Sequence, residues 1–457
     1  MKVRQMNVQK HVSRRSLLGG AALFAGFAAT GGALTGCSAS AAGGGTAPKP
    51  GGLTIMSKSN EITKDVIAAW AKEHPDVPVT LVEDDPTRLN AMLAAGTPPD
   101  LVRSLGATST ANVASRGLAL DLDPYISKST ALKSSELAKI NDVWRWDGNA
   151  QGAGARFGVV KDWSQDAMFW YNTQAFAEAG IPLPTADKPF TYDQLLEYAG
   201  PMTKRSAGKV DQYGLFTTAP TIEAISSMLA TSGARAFNDD LSQADFTSPE
   251  AIRALQWHVD VAKAKVGYTL TDPNPDGWDW PPFDAKRIAM AGAGYWFGGA
   301  VAGNPKTAEF ARLAPAPMMG NERVSPTTSA TGYWISAKSN MKDEAFAFLE
   351  WYVAGDQGKG RAQSGWGLPA VTSLSSELPQ SQPYQTDAFA VQKNEEQYLK
   401  VISFSPYAQA TAVSAAIANL FPHAVDGSLS TAKFADQATT AVNDLLKQGM
   451  ELAGKKG

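Results

Sequence analysis

The stretch from Leu53 to Val102 alternates strand and helix patterns so tightly that few topologies can hold it. Leu53-Thr54-Ile55-Met56 reads as a short apolar strand. From Glu61 to His74, Ile62, Val66 and Trp70 recur every four residues, which is one face of a helix. Val77 to Val82 reads as the next strand, Arg88 to Ala95 as a short helix, and Pro99-Asp100-Leu101-Val102 opens a third strand. A β-α-β-α-β order with short links predicts an open parallel sheet covered by helices. Later helices announce their starts. Thr191-Tyr192-Asp193-Gln194 is a capping box, and Ser248-Pro249-Glu250 offers an N-cap, a proline at the first helical position and an acid in the first turn. Ala345 to Val353 is strongly apolar and stops at Gly355. No fixed-period repeat is visible, which argues against a solenoid.

The one cysteine, Cys37, follows a segment of a different character. Residues 1–36 carry Lys2, Arg4, Lys10, Arg14 and Arg15 and no acid, then a Gly- and Ala-rich apolar run from Leu17 to Gly36. That is the order of a secretory signal. Leu34-Thr35-Gly36-Cys37 resembles the lipobox of bacterial lipoproteins, in which the cysteine takes a diacylglycerol and becomes the new N-terminus. Ser13-Arg14-Arg15-Ser16-Leu17-Leu18 resembles a twin-arginine (Tat) export signal, with Leu17 where Phe is usual and Gly19 where Lys is common. Residues 38–52 form a tether of small residues, Gly and Pro. Losing five of the 41 Lys and Arg leaves 36 against 44 acids, a net charge near −8. Such a surface disfavours nucleic acid as a partner. The remaining length exceeds one core, so two lobes are expected, held by packing because no further cysteine is present.

Several blocks along the body resemble the family 1 extracellular solute-binding proteins, the ABC-importer receptors related to maltose-binding protein. Ala95-Gly96-Thr97-Pro98-Pro99-Asp100-Leu101-Val102 matches their G-x-x-P-D step, and Gly117 to Tyr125 their G-x-L-x-D-L-x-P-Y stretch. Phe157 to Asp162 resembles Y-G-V-P-x-D, with Val160 in place of the proline. Phe169 to Asn172, Ala175-Phe176 and Ala179 to Pro182 follow the Y-Y-N-K block, with Thr173 where Lys is usual. Phe283 to Met290, Gly294-Tyr295-Trp296, Gly332 to Ser336 and Gly367 to Ala370 complete the series in order.

The resemblance implies an α/β fold of the periplasmic-binding-protein type II kind: two lobes, each a mainly parallel sheet covered by helices, hinged around a central ligand cleft. The expected division is a signal at 1–36, a tether at 37–52, an N-terminal lobe at 53–150 and 331–368, and a C-terminal lobe at 151–330 and 369–457. It also implies a partner permease, attachment to the outer face of the cell membrane through Cys37, and a monomer. Open α/β sheets bind ligands beyond the carboxyl ends of their strands, and clefts between lobes are preferred pockets.

Twelve tryptophans and twelve tyrosines suggest a sugar, whose C–H face suits flat aromatics and whose hydroxyls suit polar side chains. The candidate contacts are Trp163, Trp278, Trp280, Tyr295, Trp296, Tyr333 and Trp366, with Arg103, Asp162, Gln165 and Asp166 as polar partners. Asp162 has a second reading as a hinge fastener, Arg103 as a surface charge and Tyr333 as filler of a strand between lobes. Trp70, Trp257 and Trp351 lie in helical patterns and Trp170 in a strand, so these read as core. No catalytic motif, cofactor site or metal-ligand spacing stands out. Asp272 to Gly277 begins like a calcium loop, but Phe283 stands where the bidentate Glu belongs, and a turn is the better account. Asp84-Asp85 reads as a solvated turn. The expected function is therefore capture of a carbohydrate for an ABC importer. The alternatives are another polar solute (a polyol phosphate, polyamine or peptide) and an extracytoplasmic carbohydrate-active enzyme.

Overall fold

A computed structural model describes residues 51–454. The signal segment, Cys37 and most of the tether lie outside the described residues.

The predicted opening holds. Leu53–Ser57, completely buried, pairs in parallel with Val79–Glu83 on one side and Leu101–Leu105 on the other. Two late arrivals extend this sheet: Thr331–Ile335 runs antiparallel to Leu101–Leu105, and Val159–Val160 runs antiparallel to Thr331–Ile335. The helix between the first two strands spans Lys64–Glu73, with Thr63 as its N-cap accepting from the Val66 amide. It starts later than the apolar period implied because Thr63 takes the cap, which leaves Glu61 outside the helix. Trp70 is buried against Phe348 of the helix Lys342–Val353, and its indole N–H donates to the Val77 carbonyl.

In the second lobe Phe169–Asn172 lies between Met290–Ala291 and Ala311–Ala314. Both pairings are antiparallel, unlike the mainly parallel sheet expected there. Helices Tyr192–Met202, Ile222–Ala230 and Pro249–Ala264 pack around it, and Thr431–Leu452 packs on Pro249–Ala264 in a separate cluster. The capping box at Thr191 and Gln194 and the Ser248 cap form as the sequence implied.

Three short passages link the lobes. Val159–Val160 still belongs to the first sheet, so the first passage runs through residues 161–168 rather than near 150. The second runs through Ser325–Thr327 into Thr331–Ile335. In the third, Leu368–Pro369 pairs with Asp162–Trp163, and Ala370 and Val371 still pack into the first core. Gly332 sits where the strands crowd, since a Cβ there would come within 2.1 Å of the Val159 carbonyl oxygen. Gly355 ends one helix but opens another, Gly355–Gln363, through its positive φ of 56°. That second helix delivers Arg361.

Candidate functional site

A cavity of about 640 Å³ lies where the passages meet both lobes. Its polar floor is a chain of alternating charges. Asp84 meets Arg103 Nη1 at 3.1 Å, and Arg103 Nε meets Glu61 at 2.9 Å. Lys161 Nζ bridges Glu61 at 3.3 Å and Asp162 at 2.7 Å, and Arg361 closes on Asp162 with Nε at 2.8 Å. The Lys161 side chain is only 2% exposed, and burial lowers its pKa to about 8 against the pull of Asp162. Burial works to raise Asp162, but Arg361 and Lys161 outweigh it and hold the carboxyl below its ordinary value. Glu61 is depressed in the same way by Lys161 and Arg103. The charges hold one another in place, which is the condition for burying them at all.

Asp166 fastens two passages together. Its carboxylate accepts from the Thr328 and Ser329 amides at 2.8 and 2.9 Å and from the Thr327 and Ser329 hydroxyls at 3.0 and 2.8 Å. Burial still pushes its carboxyl up against those bonds.

The apolar wall is tryptophan. Trp296 and Trp366 lie nearly parallel, 14° between planes and 6.2 Å between centroids. Trp366 can lie flat because Gly299 faces it; a Cβ there would stand 2.7 Å from the indole. Trp278 is 41% exposed at the rim, edge-on to Phe297. Trp163 also lines the cavity, and its indole nitrogen is buried without a hydrogen-bond partner.

Of the residues expected from sequence, Arg103, Asp162, Trp163, Asp166, Trp278, Trp296 and Trp366 line this cavity. Four do not. Tyr333 is completely buried within the first sheet, its hydroxyl 2.6 Å from Ser57 Oγ. Tyr295 turns into the core of the second lobe, and burial pushes its hydroxyl up to about 12. Trp280 rests edge-on against Phe297, 5.6 Å away. Gln165 is buried between Ser164 and Asp166, which face the cavity, and accepts from Gln392 Nε2 at 2.5 Å. Sequence reading missed Glu61, Lys161 and Arg361. Lys161 sat beside the candidate Asp162, and Glu61 beside the helix cap, but nothing local marked Arg361. The Asp272–Gly277 segment is a turn held by Asp272 with Tyr213 and by Asp276 with Arg287. Asp85 caps the helix Pro86–Ala94, whereas Asp84 is no solvated turn but one end of the charge chain.

Among the described residues no helix is long and apolar enough to cross a membrane. A second depression, about 670 Å³, lies between helices Ala410–Ala418 and Thr431–Leu452. It is an open surface groove lined by Asn419, Asp436, Gln437, Thr440 and Asp444 beside Ala416, Leu420, Ala441 and Leu445.

The bacterial extracellular solute-binding protein family matches residues 57–359, about two thirds of the chain. The chain belongs to that family. As a solute-binding protein it shares its two-lobed type II architecture with solved structures at low identity. An ABC substrate-binding protein of Listeria monocytogenes in complex with cycloalternan aligns with a TM-score of 0.71 at 22% identity, covering 89% of this chain and 99% of that one. A solute-binding protein of Thermotoga lettingae bound with alpha-D-tagatose aligns at 0.68 and 20%, covering 86% and 99%. The maltose/maltodextrin-binding domain of Bdellovibrio bacteriovorus bound to maltotriose aligns at 0.70 and 15%, covering 87% and 100%. No curated protein matches the chain.

Proposed function

We propose that this solute-binding protein is the lipid-anchored, extracytoplasmic receptor of an ABC importer and that it captures a neutral carbohydrate and passes it unchanged to the permease. The observation that carries this reading is the tryptophan shelf of Trp296 and Trp366 lining the same cavity as a charge-balanced polar floor. A sugar needs both: a flat apolar surface for its C–H face and fixed donors and acceptors for its hydroxyls. The four cationic residues of the lining, Lys58, Arg103, Lys161 and Arg361, are matched by four acidic ones, Glu61, Asp162, Asp166 and Asp276. That balance favours a neutral ligand over a phosphate or a polyamine, either of which would want a surplus of opposite charge. The sugars bound by the Listeria, Thermotoga and Bdellovibrio structures support the same class.

Cys37 carries the anchor in this reading, the protein acts as a monomer, and it has no catalytic role and no cofactor. Export runs through the general or the twin-arginine route. A panel of saccharides, phosphates, polyamines and amino acids screened by thermal shift tests the ligand class. A ligand that binds only the folded state at a hundredfold excess over its Kd stabilises it by about 2.7 kcal/mol. A narrow set of neutral saccharides should raise the Tm. A response confined to phosphates or polyamines contradicts the carbohydrate reading and leaves the receptor role standing. For the anchor, Cys37→Ser should move the protein from the membrane to the soluble fraction or stall its processing, because a diacyl chain holds where a single acyl group does not. Processed Cys37→Ser protein that stays in the membrane removes the lipidation.

A further inference from the structure

We propose that Asp279 is a positioning residue that registers the Trp278 loop against the segment carrying Trp296, and so fixes the spacing of the two indoles around the cavity. This rests on the reading of Trp278 and Trp296 as ligand platforms.

Asp279 occupies the N-cap position of the helix Trp280–Asp284, yet its side chain makes no cap bond there. An aspartate at that position ordinarily accepts from its own helix. Here the carboxylate turns away and takes amides from two other segments: Gly292 N at 2.9 Å, and Thr217 N at 3.3 and 3.4 Å. Gly292 follows the strand Met290–Ala291 and lies shortly before Trp296, while Asp279 is bonded to Trp278 along the chain. One carboxylate therefore ties the elements that carry both tryptophans. Asn274 repeats the tie, since its Nδ2 donates to Thr217 Oγ1 at 3.0 Å and to the Trp278 carbonyl at 3.1 Å. The packing leaves little slack at Gly292, where a Cβ would stand 3.1 Å from the Phe216 ring.

The carboxylate is buried, and among the described residues no Lys, Arg or His forms an ion pair with it. An acid without a cation in such a place lowers stability, so selection for packing alone does not account for it. Burial pushes the carboxyl up to about 6, with the Thr217 and Gly292 bonds pulling the other way. None of the described ionisable groups on the surrounding elements pairs with it. His258 bonds to Thr218 and is held neutral by burial, which lowers its pKa to about 3. The Tyr213 hydroxyl bonds to Asp272, and Asp276 pairs with Arg287. Because the Asp279 pKa is raised in the fold, its contribution to stability is full below the ordinary carboxylate value and is lost as pH rises through about 6.

The test compares the full chain, wild type, with Asp279→Ala and Asp279→Asn. It measures deuterium exchange of the Thr217 and Gly292 amides, acrylamide quenching of Trp278 (isolated by difference with Trp278→Phe), and Tm from pH 5 to 8. Asp279→Ala should lower protection of both amides about tenfold and expose Trp278, the scale of losing a charged hydrogen bond. Its Tm at pH 8 should not fall, because a buried unpaired charge has gone. Asp279→Asn, whose carboxamide oxygen can still accept from Gly292, should keep most of the protection. It should also abolish the fall in Tm expected of the wild type between pH 5 and 7. Unchanged protection and quenching in Asp279→Ala overturns the proposal, as does a loss that merely follows a lower Tm at every pH. Should Asp279→Ala fail to fold, the pH profiles decide, and a flat wild-type profile or an Asp279→Asn profile that keeps its slope overturns it. None of these readouts uses a saccharide, so failure here is separate from failure of the carbohydrate reading.

Discussion

Trp366 and Trp257 are the same side chain in opposite roles. Trp366 lies half-buried on the cavity wall beside Trp296, while Trp257 is buried in the helix Pro249–Ala264 with its indole N–H on the Tyr192 carbonyl. Replacing Trp296 or Trp366 with Ala should weaken saccharide binding by about 1–3 kcal/mol with the Tm little changed, as for aromatic hot-spot contacts. Trp257→Ala should lower stability by about 3–5 kcal/mol and leave the affinity of the folded fraction intact. Calorimetric titration and thermal melts on the three variants separate the two effects. The charge chain gives a different signature. Arg361→Met leaves Asp162 buried without its main partner and should destabilise the fold by about 3 kcal/mol, since breaking a buried pair strands the other charge. Adding Asp162→Asn should recover much of that loss in a denaturant-unfolding cycle, and strict additivity of the two changes would contradict the pairing. The sequence singled out Trp278 because its Pro-rich loop suits no regular core element, and Trp296 because of its place in the family pattern, yet Trp280 of the same loop packs against the second-lobe core. It could not assign Tyr295 and Trp296 to opposite sides, because a short 3-10 turn decides that and leaves no period to read. Arg361 was invisible for a plainer reason: its partner Asp162 is distant in sequence, and only the fold brings the two together.

At the scale of elements, caps and close approaches decide where the site can form. Thr63 starts its helix late enough to leave Glu61 facing Arg103 and Lys161. Gly332 lets the strand Thr331–Ile335 lie against Val159–Val160, and that contact holds the second passage beside the first. Gly332→Ala would drive a Cβ into the Val159 carbonyl, so overpacking by about 1–3 kcal/mol is expected, with weaker ligand binding because Thr331 lines the cavity. A Gly332→Ala protein with wild-type Tm and affinity would show that the strands can separate freely. The opening β-α-β-α-β run was legible because its strands and helices are long enough to show their periods. The strands Val159–Val160, Asp162–Trp163 and Met290–Ala291 are two residues each, too short for any alternation, and so the first passage between lobes could not be placed from sequence. The antiparallel pairing of the second-lobe sheet was hidden for another reason: the direction of Phe169–Asn172 against Met290–Ala291 and Ala311–Ala314 is set by long connections, not by any alternation within the strands.

For the whole molecule, three passages connect the single core cluster of the first lobe to the three clusters of the second and run beside the cavity. Lys161, Asp162, Asp166, Ser329, Thr331 and Trp366 line it from in or beside those passages, so a ligand held there would touch the connections between the lobes. In the receptor reading proposed above, a ligand that bridges both lobes would favour the arrangement it binds more tightly, which is a signal a permease could read. The most direct measurement is a calorimetric titration of the purified protein with the saccharide that responds best in the thermal-shift panel, followed by mass analysis of the recovered sugar. The account predicts saturable one-to-one binding, a negative heat-capacity change from burying the indoles, and a sugar recovered intact. Cleavage of the sugar would contradict the receptor role, and a panel in which no neutral saccharide binds would contradict the carbohydrate assignment.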